Sequence, residues 1–461
     1  MAITSNLGVG SGIDINGLVD QLVKADGQPA FASIQRRESA VNERISALGR
    51  LKGALSDFQT ATGKLNELGT FDKHTASSSD EGIVKATAGL NAAAGNYQIE
   101  VQQLAQAHKL ISNGYTDGAA VVGSGTLAIT AGGSSFNVTI DSSNHTLAGI
   151  RDAINQATDN TGVNASIINV DDGTGGTVSK LVLTASKTGI ANAISVAVTE
   201  NAADPGLSAL AYGAGAGATA LTQVNAAQDA KIAVDGQTAT RSTNNFSDVI
   251  QGVTLDLKKA QPGTLVDVNV VLDEGSIKDV TDGFVKAYNG LMGIVKDLGK
   301  FDSNSKAAGA LQGDYLLREV KQQIRGSVTE VVSSAAGAYN SLAMIGISVD
   351  KDGVMAKDSA AFSKALKQNV HAVSDVFSSS NGVAARLSGR LDQYLQSGGM
   401  LDTQTTSLNK QLRRLSDEKD NVQLRLDNYR KTLMKQFIAM DVAVGQFQSK
   451  GAYLAQQLAK L

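Results

Sequence analysis

No cysteine occurs anywhere in the chain, which excludes disulfides, thiolate nucleophiles, iron–sulfur clusters and cysteine-ligated zinc together. Tryptophan is absent as well, and aromatic residues make up only 4% of the sequence. So few large aromatics leave little with which to line a tight small-molecule pocket. The four histidines, His74, His108, His145 and His371, are scattered, so imidazole chemistry has little to work with. Basic residues number 41 against 44 acidic ones, a formal charge of −3, and no polybasic cluster stands out. Neither a nucleic acid nor a membrane surface is therefore expected as a partner. No apolar run approaches the ~18 residues that a spanning helix needs. The start does not read as a cleavable signal, because the first basic side chain is Lys24 and Asp14 and Asp20 interrupt any apolar core. That leaves a cytoplasmic protein, or export by a route that uses no such signal.

What is present is glycine, 48 times in 461 residues, in a chain long enough for about three or four domains. The two ends read as helix. Over about 13–68, Ile34, Val41, Leu48 and Leu55 recur at every seventh position, with Ile45, Leu51, Phe58 and Leu65 filling the stripe. Near the C-terminus one seam holds Leu412, Leu426, Leu433 and Met440, and a second holds Leu401, Leu408, Leu415, Val422 and Tyr429. The two stand in the a/d relation of a coiled coil, with Lys419 at an a-type position. Arg413, Arg414, Asp417, Glu418 and Asp420 fall elsewhere and read as a solvated face. Beyond Gln436 the heptad loosens, although Phe437, Met440, Val444, Phe447, Tyr453 and Leu454 keep helical spacing. Leu18, Val19, Leu22 and Val23 form a matching short stripe near the N-terminus. Two readings stay open: the terminal stripes wait for a partner, or they pack on each other within one chain.

The middle, about 76–272, reads as β-structure. Tyr97, Ile99 and Val101 alternate with polar residues, and so do Phe136, Val138 and Ile140, and Val266, Val268 and Val270. Turns are signalled at Gly132-Gly133, at Asp171-Asp172-Gly173-Thr174-Gly175-Gly176 and at Asp235-Gly236. One helix over about 147–158 interrupts, capped by Asn144 or Thr146, and the Ala/Gly stretch 211–218 reads as a loop. From about 277 helices return, with a small hairpin near 347–354.

Three segments invite chemistry and fail. Gly8-Val9-Gly10-Ser11-Gly12 has no preceding strand and no following GK[ST], so it reads as a lead-in to a helix. Asp350-Lys351-Asp352-Gly353 resembles part of a calcium loop, but the required terminal glutamate is Ser359, and a turn with a glycine bulge explains it better. Asp171 and Asp172 have no third acidic neighbour. No G-x-S-x-G elbow is present. No cofactor, metal or catalytic residue is called for, and the chain is expected to be structural and not an enzyme.

Several segments carry a family resemblance. Ser11-Gly12-Ile13-Asp14-Ile15-Asn16-Gly17-Leu18-Val19-Asp20-Gln21-Leu22-Val23 looks like the N-terminal signature of the flagellar hook-associated protein 2 family, the filament caps. The run from Gly95-Asn96-Tyr97-Gln98 to Leu110 is similar to that family's most recognisable strand. Leu147–Asn155 with Gly162–Ala165 resembles a motif shared among flagellins and hook-associated proteins. Asn245–Leu255 and Ser341–Ile347 fit the family too, so the match runs the length of the chain in order. The resemblance implies an α+β multidomain fold: an antiparallel, coiled-coil-like helical stalk from both termini, carrying two β-rich head domains. Its domains would be 1–40 with 432–461 (terminal helices), 41–75 with 274–431 (helical leg), 76–115 with 225–273 (β-rich head) and 116–224 (inserted β-rich head). It implies a ring-shaped homo-oligomer at the distal filament tip, secreted through the flagellar type III system, that promotes folding and insertion of flagellin and prevents its leakage. Implied partners are flagellin and the filament tip, hook-associated junction proteins, an export chaperone at the C-terminal region, and mucin in an adhesin role. The interface residues expected are Leu18, Val19, Leu22, Val23, Leu433, Phe437, Met440, Val444, Phe447 and Leu454.

Overall fold

An apolar row at every seventh position of a helix is uncovered until a second helix lies along it. In the computed structural model, which describes residues 11–67, 69–160, 162–213, 219–302, 307–335 and 337–459, the two chain ends do this for each other. Gly8–Gly10 of the glycine run, with the rest of 1–10, and 214–218 of the Ala/Gly stretch lie outside the described residues. The helices are α1 (Ile15–Asn66), α2 (Leu147–Gln156), α3 (Glu274–Gly299), α4 (Tyr315–Thr329), α5 (Ser359–Ser378), α6 (Val383–Leu395) and α7 (Met400–Leu458). The chain divides into two compact units, Met1–Thr70 with Ile277–Leu461, and Phe71–Ser276.

In the helical unit α1 is the spine. Gly27, Ile34, Val41, Leu48, Leu55 and Thr62 are buried at a strict seven-residue interval, joined by Leu51, Phe58 and Leu65. The row begins with a glycine because Leu426 of α7 lies directly on it: a Cβ at Gly27 would sit 2.5 Å from Leu426 Cδ1. Further along, Phe58 stacks near Phe284 of α3 (ring centroids 5.4 Å) and Tyr288 (5.9 Å), and Phe284 meets Phe377 of α5 edge-on. Arg44 donates to Asp314, whose carboxylate also accepts from the Leu316 N–H at the start of α4. Gln59 donates to Asp392 of α6 at 2.7 Å.

The sequence predicts two continuous seams on α7, and the helix buries one and then the other. Leu401, Leu408 and Leu415 are buried from the first part, then Leu426 and Leu433, while Met440 and Tyr429 are exposed. An α-helix drifts about 20° per heptad relative to a strict seven-residue repeat. The eleven-residue step from Leu415 to Leu426 restores the contact face, and Lys419 stays in solvent. Two helix features carry no heptad signal. Pro29 lies inside α1 and removes one backbone donor there. Asn369 breaks α5 with extended backbone (φ −162°), and its Oδ1 accepts from Ala372 N–H to restart the helix.

The other unit is antiparallel β-structure with two cores. A five-stranded sheet runs in the order His74–Ser78, Leu265–Leu272, Gly95–Gln103, Ala230–Val234, Gln237–Arg241. A three-stranded sheet of Asn245–Ile250, Val253–Leu257 and Val84–Ala88 shares its core, where Ile99, Val101, Val266, Val268 and Val270 meet Phe246 and Leu255. The alternation read at Ile99–Val101 and at Val266–Val270 is thus one buried face of one sheet. The second core joins the sheet Thr222–Asn225, Ala107–Ile111, Thr177–Thr188, Val163–Asp171 with Ser134–Ile140, Gly125–Ala131, Ser195–Glu200. Ile150 and Ile154 of α2 fill it beside Phe136, Val138 and Leu181, and Thr146 Oγ1 caps α2 by accepting from Gly149 N–H. Asp235 and Gly236 both have positive φ between the paired Val234 and Gln237, as a two-residue primed turn requires.

Two stability outcomes follow from the spine. Phe58→Ala should lower the unfolding free energy of the helical unit by ~3–5 kcal/mol; denaturant titration followed by far-ultraviolet circular dichroism reads it, and an unchanged midpoint refutes the central role of this ring. Gly27→Val should cost ~1–3 kcal/mol through overpacking on Leu426, and Leu426→Ala in the same chain should recover part of that loss.

Candidate assembly surface at the paired helix ends

The site the sequence singles out is where α1 begins and α7 ends. Asp14 caps α1, accepting from Gly17 N–H at 3.0 Å. One turn on, Ile15 and Val19 are fully buried against Leu433, with Val23, Met434 and Phe437 packed around them. Ser11 closes the end: its backbone N–H and its hydroxyl both donate to Asp441 Oδ1, at 2.7 and 2.5 Å. Asp441 is thereby a buried carboxylate on an otherwise apolar stretch of α7.

Ion pairs fix the register. Arg430 Nε reaches Asp20 at 2.8 Å, Arg425 reaches Asp26 at 3.3 Å, and Arg37 grips Glu418 with both terminal nitrogens at 2.9 and 2.7 Å. Numbers rise along α1 as they fall along α7, so the helices are antiparallel. The Arg37 guanidinium holds the Glu418 carboxyl below its ordinary range, and Glu418 in turn raises Arg37. Asp20 likewise raises Arg430. All three pairs are close to half exposed, so water and salt screen them and they set alignment more than stability.

The ten residues expected at an interface fall into three groups. Val19 and Leu433 are buried inside the chain's own helix pair, and Val23 and Phe437 pack on them. Leu18 and Val444 are half-buried, whereas Leu22, Met440, Phe447 and Leu454 are exposed. Exposure is greatest past Asp441, where Phe447 is 74% exposed, Tyr453 62%, Leu454 60% and Leu458 71%. Sequence reasoning passed over Ser11 and Asp441 as a pair, because a hydroxyl and a carboxylate 430 positions apart have no common pattern. It also passed over Ile438 and Val442, exposed apolar residues on the same helix.

The segments that invite chemistry are turns. Asp350 Oδ1 accepts from the N–H groups of Asp352 and Val354, shaping a hairpin between Ile347–Val349 and Met355–Lys357. Asp172 Oδ1 accepts from Thr174 and Gly176, and those bonds hold its carboxyl below the ordinary value. Among the described residues no group of three or more His, Asp or Glu side chains could hold a metal ion. Among them, no helix is long and apolar enough to cross a membrane.

Comparison with known proteins agrees with this architecture. Residues 11–108 match the flagellar hook-associated protein 2 N-terminus and residues 227–449 its C-terminus, with a flagellin hook IN motif at 126–187. The chain is 34% identical over 477 aligned positions to the B-type flagellar hook-associated protein 2 of Pseudomonas aeruginosa, covering 99% of this chain and 98% of that one. It is 33% identical to the flagellar hook-associated protein 2 of Escherichia coli K12, again over 99% and 98%. Among solved structures, the D1-D2-D3 domains of the flagellar cap protein FliD from Escherichia coli superpose with a TM-score of 0.67 at 31% identity, covering 79% of this chain and 99% of that one. With both termini, both β cores and the intervening order of elements accounted for, the chain belongs to the flagellar hook-associated protein 2 family.

Proposed function

We propose that this protein caps the distal end of the bacterial flagellar filament as a ring of identical subunits, beneath which exported flagellin folds and is inserted instead of leaking away. In this reading it is a structural protein with no catalytic step, it leaves the cell through the flagellar type III system, and it contacts the filament tip and hook-associated junction proteins. The observation that carries the reading is the apolar end of α7, Phe447, Tyr453, Leu454 and Leu458, uncovered in a chain that matches cap-family proteins from end to end. Four large apolar side chains on the last turns of one helix suit a partner helix, because each exposed side chain of that size gains ~1.5–3 kcal/mol on full burial. Neighbouring cap subunits and the filament tip would supply that cover after assembly. An export chaperone would supply it beforehand, in the cytoplasm. Mucin adhesion would be a separate role of the β-rich unit, tested by binding of the full-length protein to immobilised mucin.

The deciding experiment compares flagellin in the medium with filaments seen by electron microscopy in a strain lacking this gene. Abundant unpolymerised flagellin and bare hooks are expected, reversed by adding purified protein. Phe447→Asp with Leu454→Asp should abolish that rescue while leaving the circular dichroism spectrum unchanged. Normal filaments in the deletion strain would refute the cap role, and full rescue by the double variant would refute the assignment of the interface to the end of α7.

A further inference from the structure

Away from the helix ends, the helical unit holds a groove of ≈ 610 Å³ between α3, α4 and the turn at Asp352-Gly353. Its charge is one-sided: Lys296 from α3, Lys300 just past its end, and Arg318, Lys321 and Arg325 from α4 line it, against one lining carboxylate among the described residues, Asp352. On α4 the three cations stand at i, i+3 and i+7, one face of the helix, spanning about 10 Å along its axis. Like charges on one face destabilise a helix by itself. Two of the five are engaged: Lys300 Nζ lies 3.2 Å from Asp297, and Arg325 donates to the Asp350 carbonyl at 2.9 Å. Lys296, Arg318 and Lys321 have no hydrogen-bond or ion-pair partner among the described residues. Met292, Leu317 and Val354 add apolar lining, and Val354 is 51% exposed.

We propose that this groove docks an acidic, amphipathic segment of a partner protein, its carboxylates meeting the cations of the lining and an apolar side chain seated at Val354. The shape of the charge argues for a peptide over a small anion. A phosphate or sulfate site converges donors on one point, whereas Arg318, Lys321 and Arg325 are spread over about 10 Å of α4, and Met292, Leu317 and Val354 add hydrocarbon to the same lining. A long polyanion is disfavoured by the chain's net charge of −3 and by the shortness of the row. The proposal stands on the groove alone and does not depend on the filament-cap reading.

The test uses the full-length protein and a fluorescein-labelled helix-forming peptide with glutamates along one face and leucines along the other, read by fluorescence anisotropy at low and high salt. Saturable binding that weakens with salt is expected. Arg318→Glu with Lys321→Glu should weaken it at least about tenfold, and Val354→Asp should also weaken it, since both changes lie on the surface and leave the fold intact. Reversal of two cations of the β-rich unit, Lys109→Glu with Lys180→Glu, should leave it unchanged. Absence of binding, equal binding of a lysine-for-glutamate peptide, or equal loss from the β-unit control would each overturn the proposal. Inorganic polyphosphate binding more tightly than the peptide, with no effect of Val354→Asp, would overturn it in favour of a simple anion site.

Discussion

The helical unit depends on one constraint: the first half of the row on α1 is covered by α7, from the other end of the chain. Ile15 and Val19 on Leu433, and Gly27 beneath Leu426, join residues roughly four hundred positions apart. Closing so long a loop is cheaper than intuition suggests, since the entropic cost grows only with the logarithm of length, about 0.6 kcal/mol per doubling. Much of the intervening chain is also folded on its own as the Phe71–Ser276 unit. The pairing is thus affordable with a narrow apolar contact, and its second half is reinforced by the aromatic cluster around Phe58.

Apolar contact and electrostatics divide the work. The ion pairs Asp20–Arg430, Asp26–Arg425 and Arg37–Glu418 are exposed and individually weak, but they occur at three separate points along the seam. A slip by one heptad would break all three and move Leu426 off Gly27. The Ser11–Asp441 contact differs in kind, because a buried carboxylate without its donors would carry the full cost of desolvation. Register is therefore specified by polar groups and stability by apolar ones.

The sequence made much of this visible, for a physical reason. Heptads, period-two alternation and Asp-Gly or Gly-Gly turns are local rules, so α1, α7, the strand Gly95–Gln103 and the turn at Asp235-Gly236 could be drawn from residues alone. The switch of seam between Leu415 and Leu426 could not, because it comes from helix drift accumulated against a particular partner. Gly27 reads as a weak helix residue until Leu426 is set beside it. Burial of Val19 and Leu433 in the same chain, and exposure of Phe447 and Leu454, was likewise beyond an apolar stripe that all four share. The basic groove was hidden differently. Its cations come from α3, from Lys300 just past it, and from α4, and only the fold brings them to one groove.

Discontinuity of the helical unit also has a meaning in time. The β-rich unit is one unbroken stretch and needs nothing beyond Ser276. The helical unit takes its first strand of contacts from α1 and its last from Leu433 and Asp441, near the end of the chain. At a synthesis rate of ~5–20 residues per second, α1 waits from about twenty seconds to more than a minute for its cover. A chain cut short between Ser276 and Leu426 therefore keeps the whole stretch of its β-rich unit but leaves a bare greasy stripe at its front. The same geometry that joins the two ends makes the protein a check on its own completeness.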